Sequence, residues 1–227
     1  MPTPSPRRRS GRVRLVPLLV ASVLVIAGGA VLWHKVIRDQ VMPKNFGVVA
    51  EGQIYRSGQL TPRMLEQVIE SKGIRTIIAL NGSETHDPRI IAERAVVDGR
   101  PVTWLPFGMS GDGTGDPAEY ARVVQIMNDP AAQPVLVHCA AGAQRTSVAT
   151  ILYRHLVQGE SITEAYPESF EFKHEPEDWR LLAYLSEALP AIEQAYRELT
   201  SSGAMSPGST GGPSDGSAVS TADGDAP

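Results

Sequence analysis

The chain has 227 residues, with 21 Lys and Arg against 25 Asp and Glu, a formal net charge of −4. Seven of the 21 cations (Arg7, Arg8, Arg9, Arg12, Arg14, Lys35 and Arg38) precede the first acid, Asp39, so 14 remain to face all 25 acids. A domain that acidic is excluded as a general nucleic-acid binder, which needs a basic face for phosphate, and the single cysteine, Cys139, excludes an internal disulfide framework.

Residues 1–14 form a basic N-terminal segment. The 19 residues that follow, 15–33 (LVPLLVASVLVIAGGAVLW), carry no charge, and a helix of that length rises roughly 28 Å, enough for a bilayer core. The stretch reads as an uncleaved transmembrane anchor. The competing reading is a signal peptide with Leu15–Ile26 as its apolar region and Gly28-Gly29-Ala30 at the cut. The stronger positive cluster lies before it, which keeps the N-terminus cytoplasmic and places the rest of the chain on the other side. Residues 34–44 are a linker.

A single domain is expected over 45–200, large enough for a proper core. QIYRS (53–57) reads as a short strand. Thr61-Pro62 opens a helix to Lys72 with Gly73 as terminator. IRTIIAL (74–80) is rich in β-branched residues and reads as a strand. Asp87-Pro88 opens a second helix that ends at Asp98-Gly99, and Val102–Leu105 is a third strand. Asp116-Pro117 begins a helix to Asn128, and PVLVH (134–138) is the apolar run of a buried strand. Arg145–Gln158 reads as a helix stopped by Gly159, and Glu177–Leu199 as another. The alternation predicts an α/β fold, a central mainly parallel sheet flanked by helices. Residues 201–227 are Gly/Ser/Pro-rich and are expected to be disordered, since they cannot bury enough apolar surface to offset ordering entropy.

The chemistry concentrates in VLVHCAAGAQRTS (135–147), at the carboxyl end of a strand, where such sheets bind ligands. The five residues from Ala140 to Gln144 turn from strand into helix, and a loop of that length aims successive N–H groups at one point, a nest for an anion. The same field stabilises a thiolate: cysteines at helix N-termini have pKa values lowered to roughly 3.5–7.5. Gly142 permits the curve, and Arg145 grips two oxygens of a tetrahedral oxyanion in a planar fork. Thiolate, nest and bidentate cation describe a nucleophilic phosphate-binding site.

The pattern H-C-x5-R-T between strand and helix resembles the signature of the cysteine-dependent protein tyrosine phosphatases. Together with NFGVVAEGQIYRSGQL (45–60) and FGMSG (107–111), it is similar to the atypical dual-specificity branch of plants, fungi and related bacterial proteins. The likeness spans roughly residues 45–190. It implies Cys139 as a nucleophile that becomes a phosphocysteine and Arg145 as the ligand of the phosphoryl oxygens. His138 would hold the loop and tune the thiolate, or be a hydrogen-bonded core histidine. Thr146 would assist breakdown of the intermediate, or make a cap-like contact. Ala140, Ala141, Gly142, Ala143 and Gln144 would line the substrate phosphate. Ser147 departs from the family's usual glycine. Arg56, far from the signature in sequence, reads as structural. No cofactor or metal is implied, and His86, His155 and His174 lack ligand spacing.

The family takes the leaving group's proton from an aspartate on a loop, here PFGMSGDGTGDP. Asp116 matches a helix cap with Glu119 three residues on. Asp112, flanked by glycines on a loop suited to a lid, is favoured as general acid. The uncharged loop positions and acidic domain favour a phosphomonoester, on a phosphorylated protein or a small molecule, over an inositol polyphosphate or pyrophosphate. A non-catalytic phosphate-binding module is the remaining alternative.

Overall fold

The computed structural model describes residues 15–33, 42–83, 85–175 and 178–202. The basic segment 1–14, most of the linker and almost all of the expected disordered tail lie outside them. The first element is helix α1 (Leu15–Leu32). The sheet contains β1 (Gly47–Ala50), β2 (Ile54–Gly58), β3 (Thr76–Ala79), β4 (Thr103–Pro106) and β5 (Val135–Cys139). Between and after the strands run α2 (Pro62–Lys72), α3 (Pro88–Val97), α4 (Pro117–Met127), α5 (Gln144–Leu156), α6 (Ile162–Ala165), α7 (Glu168–Glu171) and α8 (Arg180–Ser201).

The strand order is β1-β2-β5-β3-β4, with only the β1–β2 pair antiparallel. The mainly parallel sheet expected from the alternation is therefore present, with β5 at its centre and all five of its residues buried. Side-chain alternation along β5 divides the core. Val135, Val137 and Cys139 face the layer of α4, α5 and α8, with Tyr120, Val124, Leu152 and Leu185. Leu136 faces the layer of α2 and α3, with Leu65, Val68 and Val97. Period two then sends His138 toward α3 and Cys139 toward α5, so adjacent residues of the motif meet different helices.

Three helices begin as their sequences dictate. Thr61 accepts from Met64 N, Asp87 from Arg89 N and Asp116 from Ala118 N, each followed by Pro at the first turn. Each cap satisfies an amide that the helix cannot. Strand β1 and helices α6 and α7 were not anticipated. β1 is four residues long, and its register shifts between Val48 and Ala50; α6 and α7 have four residues each. The last helix begins at Arg180 rather than Glu177, and it runs through Pro190.

The expected transmembrane anchor over 15–33 is not supported. Among the described residues no helix is long and apolar enough to cross a membrane. Helix α1 has 18 residues, Leu15–Leu32. The helix is nonetheless apolar all round, with Leu19, Val23, Leu24, Val25 and Ile26 exposed.

Candidate active site

The loop from Cys139 into α5 is held from its outer side by three consecutive carbonyls. Ala140 O accepts from Lys44 Nζ at 2.9 Å, Ala141 O from Asn45 Nδ2 at 2.9 Å, and Gly142 O from Arg56 Nη2 at 3.0 Å. In a trans peptide the N–H points opposite to the C=O. The amides of Ala141, Gly142 and Ala143 are thereby turned to the other side of the loop, where Gly142 N donates to Cys139 Sγ at 3.2 Å. Helix α5 differs from α2, α3 and α4 at its start: its N-cap is Ala143, which makes no side-chain cap bond. An alanine there offers no competing acceptor, so the first-turn amides stay available to an anion.

Gly142 is required on two counts. Its φ is +77°, and a Cβ would lie 2.4 Å from Gly58 N and 2.7 Å from Ser57 O. Gly58 matches it from the end of β2, where a Cβ would meet Ala141 O at 2.7 Å. The parallel register that pairs Gly58 with Cys139 brings these two backbones together.

Cys139 is buried, and burial pushes its thiol up. The Thr146 hydroxyl and N–H, the Arg145 guanidinium and the Gly142 N–H act against this, and the net result lies below the ordinary thiol range. Thr146 is fully buried, and its Oγ1 has no hydrogen bond of standard geometry; the group it acts on is the Cys139 sulfur, whose charged form it favours. Arg145 is buried, with Nη1 donating to Met109 O at 3.3 Å. That contact ties the loop after β4 to the signature.

His138 and Glu93 form a buried pair, Nε2 to Oε1 at 2.9 Å. Burial alone would discharge both. Their mutual attraction overrides it, holding the imidazole above and the carboxylate below their usual ranges. Glu93, from α3, also accepts from Trp104 Nε1 at 2.8 Å and Gln59 Nε2 at 3.1 Å. Sequence reasoning missed Glu93 altogether. Its one available signal was an acid at a position of α3 that faces inward with Ile90 and Val97.

Arg56 is structural, as expected, but it is not remote. Its side chain is fully buried and donates to Thr150 Oγ1, Ser147 Oγ and Gly142 O at 3.1, 2.9 and 3.0 Å. The guanidinium carbon lies 3.7 Å from the centroid of the Phe172 ring, and burial lowers the pKa to about 10. Ser147, where the family carries glycine, is one of its acceptors. Gln144 joins the loop to the far segment, with Oε1 at 2.7 Å from His174 Nδ1 and Nε2 donating to Asp178 at 3.0 Å. His174 is thus a buried strut.

The acid loop lies against α5, since a Cβ on Gly113 would sit 3.3 Å from Val148. Asp112 is exposed, and its Oδ1 accepts from Thr114 N at 3.1 Å and Thr114 Oγ1 at 2.8 Å. The Thr114 amide and hydroxyl hold this carboxyl below the usual range. Asp116 caps α4. Among the described residues, no group of three or more His, Cys, Asp or Glu side chains is placed to hold a metal ion.

Solved structures share this fold at low identity. The catalytic domain of the PP-IP phosphatase SIW14 from S. cerevisiae, in complex with citrate, matches with a TM-score of 0.56 and 23% identity, over 72% of this chain and 95% of that one. A TpbA variant from P. aeruginosa in complex with pTyr matches at 0.54 and 24%, over 67% and 90%. PTPMT1 matches at 0.51 and 18%, over 70% and 98%. No curated protein matches the chain. The family described as DSP-PTPase phosphatase fused to NAD+ kinase matches residues 31–180, well over half of the sequence. With the signature loop built as it is, the chain belongs to that family of cysteine-based phosphatases, in the atypical dual-specificity branch of the protein tyrosine phosphatase superfamily.

Proposed function

We propose that the chain hydrolyses phosphomonoesters, phosphotyrosine, phosphoserine or phosphothreonine among them, through a phosphocysteine at Cys139. The observation that carries this reading is the sulfur's setting, buried among thiolate-stabilising donors with Gly142 N at 3.2 Å. The thiolate attacks phosphorus in line with the leaving oxygen. The inward amides of 141–143 and the Arg145 fork take the equatorial oxygens, whose charge they stabilise without reorganising. Asp112 protonates the leaving oxygen, which requires its carboxylate to leave Thr114 as the loop closes. Water then attacks the phosphocysteine, and the Thr146 hydroxyl offsets charge returning to sulfur. His138 holds the loop and favours the thiolate.

The substrate class follows from what lines the loop. Ala140, Ala141 and Ala143 bring no cation, and the Lys44 ammonium is engaged by the Ala140 carbonyl. Multiple phosphates gain little there beyond one phosphoryl group, in contrast to the PP-IP phosphatase SIW14. Turnover of a phosphotyrosyl peptide beside an inositol pyrophosphate tests this. Faster hydrolysis of the peptide is expected, and much greater turnover of the pyrophosphate would refute the preference.

Location of the domain on the extracytoplasmic side is part of the proposal. It is supported by the five arginines before the apolar run at 15–33. A reporter fused after residue 200 should be active only outside the cytoplasm; cytoplasmic activity would reverse the orientation.

A further inference from the structure

Glu93 is 2% exposed, which for a carboxylate is costly unless it is paired and hydrogen-bonded. It is fully engaged. Both oxygens accept, one from His138 and Trp104 and the other from Gln59. The donors come from β5, β4 and the end of β2, so the carboxylate gathers three strands. Gln59 is itself fixed, its Oε1 accepting from Asn81 Nδ2 at 3.3 Å. Asn81 belongs to a bridge with Gly108, on the loop that carries Asp112. Glu93, His138, Gln59 and Asn81 are buried, Trp104 is partly exposed, and Glu93 itself touches no reacting atom. The arrangement ends on the imidazole of the residue that precedes the nucleophile.

We propose that Glu93 is a positioning residue for the nucleophile: its carboxylate, anchored by Trp104 and Gln59, fixes His138 as a buried cation behind the Cys139 sulfur. The inference rests on the phosphatase reading for its purpose, though not for its test. Charge around the sulfur comes from every side. His138 acts from β5, Arg145 from α5 and Arg56 from β2, while Tyr120 of α4 stands across the core. Removing the Glu93 charge leaves the imidazolium buried without its counter-ion, so it discharges. The charge lost next to the sulfur is then positive, while the negative charge lost lies one residue farther away. The thiolate must become harder to form.

Glu93→Gln keeps the shape and one acceptor oxygen. Since Cys139 is the only cysteine, the rate of iodoacetamide alkylation against pH reports this thiol alone. The variant should move the midpoint upward by about one unit, a change that a merely structural Glu93 would not produce. A folded Glu93→Gln protein with the wild-type midpoint overturns the proposal. The ring 15N shifts of His138 in the wild-type protein give a second measurement that needs no variant. Both nitrogens should be protonated near neutral pH, and a neutral imidazole there overturns the proposal equally. Alkylation uses no phosphoester: a wild-type protein that alkylates at low pH but hydrolyses nothing would fault the function and leave the role of Glu93 standing.

Discussion

Replacing Arg56 with Lys should damage the protein more than any other conservative change outside the signature. The guanidinium makes three side-chain hydrogen bonds at full burial, to Gly142 O, Ser147 Oγ and Thr150 Oγ1. A single ammonium at the end of a flexible stem can reproduce about one of them. Each lost bond from a charged donor is worth about 1.5–3 kcal/mol, and two losses give about 3–6 kcal/mol, similar in size to breaking a buried ionic network. For a domain of this size that lowers Tm by roughly 10–15 °C. The damage should also reach the chemistry, because Gly142 O is the contact that turns the neighbouring amides inward. Urea unfolding, followed with kcat on an aryl phosphate at a temperature where both proteins are folded, measures the two effects. A loss below about 1 kcal/mol with unchanged kcat would refute the brace.

Gly142→Ala puts a methyl 2.4 Å from Gly58 N at a φ of +77°; the backbone cannot yield cheaply, and kcat should fall at least about 10²-fold, as when oxyanion donors are misplaced. Asp112→Asn should lose rate while Asp116→Asn keeps it and barely moves the thermal melt, because asparagine caps a helix about as well as aspartate; loss of rate only in the second would reassign the acid. Thr114→Val removes the hydroxyl donor that helps hold the Asp112 carboxyl down. A general acid works while protonated, so the alkaline limb of the kcat/KM–pH profile, which reports the free enzyme, should move upward, and an unmoved limb counts against Asp112. Because the Cys139 thiol is held below its unfolded value, its ionisation contributes stability that is complete above the unfolded thiol's ~8.5 and fades as pH falls through the folded value. Comparing wild type with Cys139→Ser by urea unfolding across that window should show the difference shrink toward acid pH.

What was legible in the sequence was local. A cap residue followed by proline fixes where a helix starts within one turn, and Thr61, Asp87 and Asp116 all cap as their spacing implies. The signature loop is likewise written in one run of residues, so Cys139, Gly142 and Arg145 could be placed before any fold was known. The contacts that hold that loop join residues far apart in the chain. Lys44 meets Ala140 across 96 positions, Arg56 meets Gly142 across 86 and Glu93 meets His138 across 45. Parallel pairing of β2 and β3 on either side of β5 creates those neighbours, and no periodicity encodes which strands pair. Distance in sequence was accordingly a poor guide to Arg56, whose register partner Val137 lies two residues before the nucleophile. The apolar run at 15–33 forms helix α1 over Leu15–Leu32, but the anchor expected from its hydropathy is not supported.

The central claim is that Cys139 itself carries the phosphoryl group. Acid-quenching the enzyme during turnover of an aryl phosphate, and mapping the adduct by mass spectrometry, tests it most directly. The account predicts a phosphoryl group on the Cys139 peptide in the wild-type protein, and neither adduct nor turnover in Cys139→Ser. Hydrolysis by Cys139→Ser at the wild-type rate would contradict it.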